Sequence, residues 1–360
     1  MQLCRIRQWV SASVGEPGRR RVPGRALSGH GRSPCGHAAH IRRYDLVVPL
    51  SVDDVDRFER SRPRLEAIAY RLLGSADEAQ DVVQETFLRW HAADVDRVEV
   101  PEAWLTKVLT NLCLNQLTSA RARRETYVGR WLPEPLLAGD PMLGPADTAE
   151  QREAVSYAVL TILERLSPNE RAVYVLREAF DYPHREIAEI LEISEAASQQ
   201  TFHRARKHVA YAEARPDIDK ATARRIVEEF LAAAASGQTD ELVRLLTKDA
   251  ISISDGGGKV PARAKAFEGA VAVAKFVAGM FKPAEAKRAI VGGSPEIYAW
   301  TANGEPALVA VAGGRVVAVM CLEVTAGGIA ACRTQANPDK LDRASGLWAA
   351  VDHGEPLLVL

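Results

Sequence analysis

The 360 residues predict a multidomain fold: two all-α domains in tandem, the second carrying a helix-turn-helix, followed by an α+β domain. Three observations carry this expectation. Apolar residues recur at helical spacing over residues 52–125 and again over 150–215. A stretch dense in Pro and Gly, 126–149, separates the two and reads as a linker. From residue 218 the composition shifts to Ala, Val and Gly, and short apolar runs between Gly and Asn turns replace the amphipathic periods as far as about residue 342. With 47% hydrophobic and 26% charged residues, the chain is not disordered throughout. The sequence has no apolar run of the roughly 18 residues that a membrane-spanning helix requires, so no membrane partner and a cytoplasmic location are expected.

The formal charge of -1 conceals a segregation: residues 1–43 hold nine Arg against the single acid Glu16, and the remainder is strongly acidic. Residues 1–45 lack an apolar period and the apolar core of a secretory signal, so they are expected to be a disordered basic extension. They read as upstream of the true start near 46–52, with a nucleic-acid-binding arm as the alternative. Five cysteines, widely spaced and without a Cys-x-x-Cys pair, indicate neither a disulfide framework nor a zinc ribbon. Cys35 with His30, His37 and His40 fits no standard zinc spacing, and no metal or cofactor is expected.

In the first domain, Phe58, Leu65, Ile68, Ala69 and Leu72 predict a helix that stops at Gly74, and Ser75 offers an N-cap for the next. That second helix sets Val82, Val83, Phe87 and Trp90 against a largely acidic side that includes Asp77, Glu78, Asp81, Gln84, Glu85 and Arg89. Pro101 sits where a third helix begins, with Trp104, Leu105, Val108, Leu109 and Leu112 as its stripe and Arg121, Arg123 and Arg124 near its end. Trp104, Asn111 and Asn115 fall within an arc of roughly 40°. A Trp, two amides and a basic end are residue types suited to holding an unstacked base and its phosphates. The competing reading makes Trp104 a core residue and Asn111 a surface amide.

In the second domain, Ser167, Pro168 and Glu170 form a capping-box pattern ahead of a helix with Ala172, Val173, Leu176 and Ala179 inward. Pro183 opens a short helix carrying Ile187, Ala188, Ile190 and Leu191, and Ser194 can cap the one after it. On that last helix Ser198, Phe202, Ala205 and Val209 share one face. Gln199, Gln200, His203 and Lys207 point away, with Arg204 and Arg206 toward the edges, a set suited to base edges and phosphates in a major groove. Glu192 or Ile193 occupies the turn where glycine is usual, so the turn either avoids positive backbone angles or tolerates strain.

In the third domain, helices are expected over 221–235 and 240–246, and strands over 250–254, 289–292, 297–301, 307–312, 316–324 and 329–336. The tail, 343–360, carries no readable pattern.

The segments GSADEAQDVVQETFLRWH and PEAWLTKVLTNLCLNQLTSARARR resemble the second region of extracytoplasmic-function (ECF) sigma factors, and the helix-turn-helix resembles their fourth region. The resemblance implies that Asp81, Gln84, Glu85 and Arg89 bind core RNA polymerase at the beta-prime clamp helices. It also implies that Trp104, Asn111, Asn115, Arg121, Arg123 and Arg124 serve the minus-10 element, and that Gln199, Gln200, His203, Arg204, Arg206 and Lys207 serve the minus-35 element. Many relatives have Asp where Asn115 stands. The third domain resembles the SnoaL-like cone of the nuclear-transport-factor-2 superfamily. Three tracts, Trp131-Leu132-Pro133-Glu134-Pro135, Asp255-Gly256-Gly257-Gly258-Lys259 and Asn337-Pro338-Asp339-Lys340, resemble ECF sigma factors with a fused SnoaL-like domain, of the mycobacterial sigma-J type. In that group the fused domain regulates the sigma factor, which implies an interdomain role for these tracts.

The expected function is therefore promoter-specific transcription initiation with core polymerase and promoter DNA as partners. The chain is expected to be non-enzymatic and monomeric when free, with a small ligand of the cone left open. Two rivals remain: a helix-turn-helix regulator sensing such a ligand, which has no use for the acidic helix, and a SnoaL-type enzyme. The enzyme lacks candidates, since no His lies between 209 and 352 and Asp249, Asp255 and Glu296 read as surface or turn residues.

Overall fold

Helix α1, Val52–Leu73, starts at Ser51, whose Oγ accepts from the Asp54 amide, and ends at Gly74, whose φ of +70° lets its N–H return to the Tyr70 carbonyl. The computed structural model that shows this describes residues 51–125, 127–143, 156–209, 220–262 and 265–360, and the expectations for the amino-terminal extension lie outside them. Ser75 caps α2, Ala76–Ala92, and α3, Pro101–Glu125, completes the first domain. Phe58, Ile68, Leu72, Val83, Trp90, Leu105 and Leu109 are its fully buried centre.

The second domain comprises α4, Tyr157–Leu163; α5, Pro168–Tyr174, with a π-helical continuation over Val175–Ala179; α6, His184–Leu191; and α7, Glu195–Val209. Both halves of the Ser167/Glu170 capping box are present. Glu192 ends α6 at φ +56°, so the turn accepts left-handed strain at a non-glycine residue.

The two helical domains share one continuous apolar core that runs from Phe58 to Val209. Polar groups cross it as well. Thr106 Oγ1 and the Tyr182 hydroxyl are 3.0 Å apart, and the fully buried Arg171 donates from Nε to the Arg71 carbonyl and from a terminal nitrogen to Glu164. Burial pulls the Arg171 guanidinium down to about 9 and that of Arg71 to about 10.

The third domain begins with α8, Lys220–Ser236, and α9, Thr239–Leu245. Its strands are β1, Leu246–Asp255; β2, Phe267–Glu268; β3, Glu296–Ala302; β4, Glu305–Ala312; β5, Arg315–Thr325; β6, Gly328–Gln335; and β7, Leu358–Val359. Two helices, α10, Ala270–Met280, and α11, Glu285–Val291, lie between β2 and β3, and α12, Asp342–Trp348, follows β6. The sheet order is β2-β1-β6-β5-β4-β3-β7, with β1 and β6 parallel and every other pair antiparallel. This is a mixed α/β domain; the order has two ends, and closure into the expected cone is not shown.

Residues 289–292, expected as a strand, are helical: Glu285, Ala286, Lys287 and Arg288 are helix formers, and Gly292 closes the helix at φ +79°. One face of the sheet packs on Val227, Phe230, Val273 and Val277 of α8 and α10. The other packs on Trp348, Leu132, Leu137 and Tyr157, which come from α12, the linker and α4. The tail belongs to this domain. His353 stacks on Trp348 at 4.5 Å, β7 pairs with β3, and Leu357, Leu358 and Leu360 pack against the helical-side core. No described helix is long and apolar enough to cross a membrane.

Candidate nucleic-acid interface and interdomain site

The inward face of α7 is set by Ser198, Thr201, Ala205 and Val209, all buried, with Phe202 half-buried against Tyr174 and His184. Gln199, Gln200, His203, Arg206 and Lys207 are consequently exposed on the outward side. Arg204 is exposed too, with its Nε 3.4 Å from Glu170, whose carboxyl is held below its usual range chiefly by the hydrogen bond from Ser167. Ser194 accepts from the Ala197 amide, which fixes the start of this helix against the turn. Lys107 of α3 reaches Glu192 in that turn at 3.1 Å.

On α2 the apolar side is buried through Val82, Val83 and Trp90, leaving Asp81, Gln84 and Arg89 exposed beside Leu88, itself 53% exposed. Glu85 is half-buried and paired with Arg89 at 3.0 Å. An acidic and amide surface with an apolar residue inside it suits a protein partner better than a phosphate backbone.

On α3, Trp104 is half-buried with its ring 5.4 Å from that of Trp90, so it belongs partly to the core. Asn111 is half-buried and Asn115 exposed on the same helical side. The side chains of Arg121, Arg123 and Arg124 lie outside the described residues.

The linker is where the chain concentrates buried polar contacts. Leu132, Pro133, Glu134, Pro135, Leu136 and Leu137 are all buried. Asp255, fully buried at the end of β1, accepts from the Leu132 amide at 2.9 Å, from the Tyr127 hydroxyl at 2.7 Å and from Lys340 Nζ at 2.8 Å. Gln335 Nε2 and the Gly257 amide also donate to it, so this carboxylate is compensated from several sides. Lys340 also donates to the Leu132 carbonyl and lies 4.1 Å above the Trp131 ring.

Glycine is required in the turn beside Asp255. Gly257 has φ +60° with Asn337 packed where a side chain would stand, and Gly258 has φ +73° against Val128 of the linker. Asn337 holds Tyr127 through Nδ2, Pro338 opens the 3-10 turn Pro338–Lys340, and Asp339 pairs with Lys259 at 2.6 Å on the exposed side. The three tracts are thus brought together around one carboxylate; within the second, Gly256 contributes its carbonyl to the Lys259 and Val260 amides.

Glu134 faces the first domain, accepting from the Ala76 amide at 2.7 Å beside the Ser75 cap of α2. Burial raises its carboxyl to about 7, against the lowering effect of the backbone donors.

Sequence reasoning missed several members of this site. Tyr127 and Gln335 flank the tracts by a few residues and carry no motif of their own. Arg343 grips Asp140 with two 2.6 Å bonds across 203 residues, where only the opposite charges offered any signal.

Residues 57–123 match the family model for Sigma-70 region 2, and residues 156–209 match that for Sigma-70, region 4. The chain is 38% identical over 296 residues to the ECF RNA polymerase sigma factor SigJ of Mycobacterium tuberculosis (strain ATCC 25618 / H37Rv), covering 80% of this chain and 93% of that protein. It is 29% identical over 287 residues to the probable ECF RNA polymerase sigma factor SigI of Mycobacterium tuberculosis (strain CDC 1551 / Oshkosh), covering 78% and 92%. The crystal structure of the Mycobacterium tuberculosis extracytoplasmic function sigma factor SigJ is similar with a TM-score of 0.62 at 34% identity, covering 79% of this chain and 97% of that one. With both sigma regions in order and the similarity running on through the third domain, the chain belongs to the ECF family of RNA polymerase sigma factors.

Proposed function

We propose that this chain is a promoter-specificity subunit whose SnoaL-like third domain controls the spacing of its two DNA-reading regions. It binds core RNA polymerase and directs promoter-specific initiation, without covalent chemistry of its own. Asp81, Gln84, Glu85 and Arg89 meet the polymerase. Trp104, Asn111 and Asn115, with Arg121, Arg123 and Arg124, hold the opened minus-10 element, and the outward face of α7 reads minus-35.

The observation that carries the regulatory part is that the linker between the readers is docked on the third domain through Asp255 and Lys340 while the outward face of α7, and Asn115 on α3, stay exposed. Control by masking would require covered faces; control of spacing does not. Two elements 25 base pairs apart lie roughly 85 Å from each other along a duplex. A shared core holds the readers in one body, and a folded unit of their combined size has a radius of gyration of only about 15 Å. Both elements are therefore engaged only after the two domains part. Undocked, the linker and the residues after it as far as 155 span about 100 Å when extended, whereas a 12-residue stretch such as 144–155 spans about 40 Å.

The helices-first order and the helices packed on one sheet face support the SnoaL-like assignment. Side chains of the domain's own α8 and α10 pack on that face. Run-off transcription with purified core polymerase tests the reading. The full chain should yield a promoter-specific transcript, and Gln200→Ala with His203→Ala should abolish it while core binding persists. A helix-turn-helix regulator or a SnoaL-type enzyme would yield none.

A further inference from the structure

The turn between β3 and β4 is a two-residue Asn-Gly hairpin, Asn303 at φ +49° and Gly304 at φ +73°, as such tight turns require. Hairpin tips ordinarily sit in water, yet Asn303 is fully buried and Glu305 is 5% exposed. Every described polar bond of the Asn303 tip leaves its own domain. Its amide donates to the Leu136 carbonyl at 2.8 Å, and its Oδ1 accepts from the Leu136 amide at 2.9 Å. Its Nδ2 donates to the Tyr70 hydroxyl at 2.8 Å, and that hydroxyl donates onward to the Glu134 carbonyl at 2.7 Å.

One residue beyond the turn, Glu305 Oε1 accepts from the Ala158 amide of α4 at 3.0 Å. The linker completes the junction as a short antiparallel partner: Leu137 bridges Ala302, and the Ala138 amide donates to the Thr301 carbonyl at 2.9 Å. Four residues of the third domain thus touch α1 of the first domain, the linker and α4 of the second. They lie at the far end of the linker tract from the Asp255 carboxylate.

We infer that the β3–β4 hairpin is a positioning element that couples the two DNA-reading regions, so that α1, the linker and α4 come free of the third domain together. The inference rests on the spacing role proposed above and assigns it to Tyr70, Asn303 and Glu305. Its physical basis is that bonds to all three segments converge on one rigid turn. Loss of one partner leaves another buried polar group unpaired and lowers the threshold for releasing the rest.

Amide hydrogen exchange on the full chain tests this, because exchange reads opening at each segment separately. Tyr70→Phe, a change in the first domain, should speed exchange of the first α4 amides in the second domain about tenfold. Glu305→Ala should do the same for the linker amides of Leu136 and Ala138, and Glu305→Gln, which keeps the acceptor, should restore both. In an Asn303→Gly background, where glycine keeps the backbone conformation but the Tyr70 bond is gone, Tyr70→Phe should add nothing at α4.

Effects confined to the mutated segment would overturn the inference. So would transmission that persists in the Asn303→Gly background, since it would then run through the Tyr157 hydroxyl bond to the Pro133 carbonyl instead. Should Asn303→Gly unfold the third domain, Tyr70→Phe and the two Glu305 variants still decide between coupled and local opening. None of these readings needs polymerase, so failure here and failure of the sigma-factor assignment in transcription are separate results.

Discussion

Helix α7 and the linker tract 131–137 are both candidate functional segments, yet they use their side chains in opposite ways. On α7 the functional candidates are exposed, and its hold on the protein comes from Ser198, Ala205 and Val209 on the other face. In the linker nearly everything is inside, and backbone and side-chain groups alike are matched to Asp255, Gln335, Lys340 and Asn303. A surface that will meet DNA must leave its donors available. A segment that sets distance must have none left over, because buried polar groups without partners would favour release. On the proposed function, recognition and placement are separate in this chain and should be changeable independently.

The largest expected effect breaks the linker side. Asp255→Ala leaves Lys340 and two linker donors buried without their acceptor and should destabilise the docked state by about 3–5 kcal/mol. Limited proteolysis should then cut at 127–143 faster than in the unaltered chain.

Next is pH. A carboxyl whose folded-state pKa lies above its unfolded value binds its proton more tightly when folded. Docking through Glu134 should therefore be strongest below about pH 4.5 and weaken as the pH rises through about 7, by up to ~3 kcal/mol. Denaturant titrations at pH 5 and 8 should show this slope, and Glu134→Gln should flatten it.

A smaller effect is expected at the turn before α7. Glu192→Gly relieves left-handed strain and loses only an exposed pair with Lys107, so the melting temperature should rise by an amount equivalent to about 1 kcal/mol. Smallest in stability is Gln200→Ala, under about 0.5 kcal/mol by thermal melting, although promoter selectivity should change.

The same contrast governs what the sequence could reveal. Local signals were legible: Ser75 and Ser167 cap as their spacing indicates, Gly74 ends α1, and the outward face of α7 follows from helical period alone. Resemblance brought forward Asp255, Lys340 and Trp131, whose contact across more than a hundred residues leaves no local mark. Arg343 with Asp140 and Asn303 with Tyr70 had neither kind of signal, since an isolated charge or an Asn-Gly turn is ordinarily a solvated feature.

Misreading was greatest where apolar residues run together. Residues 289–292 end a helix rather than form a strand, α10 has an apolar alternation that hides its period, and the tail is held by edge pairing and stacked rings that appear only once β3 and Trp348 are in place.

The central claim is that the third domain acts on reader spacing and not on polymerase binding. Promoter run-off transcription and core-polymerase affinity should be measured side by side for the full chain and for Asp255→Ala. The account predicts core affinity within about twofold of the unaltered chain and a promoter-specific transcript level changed by at least about threefold. Unchanged transcript at unchanged affinity would contradict it, as would a change in transcript explained wholly by lost polymerase binding.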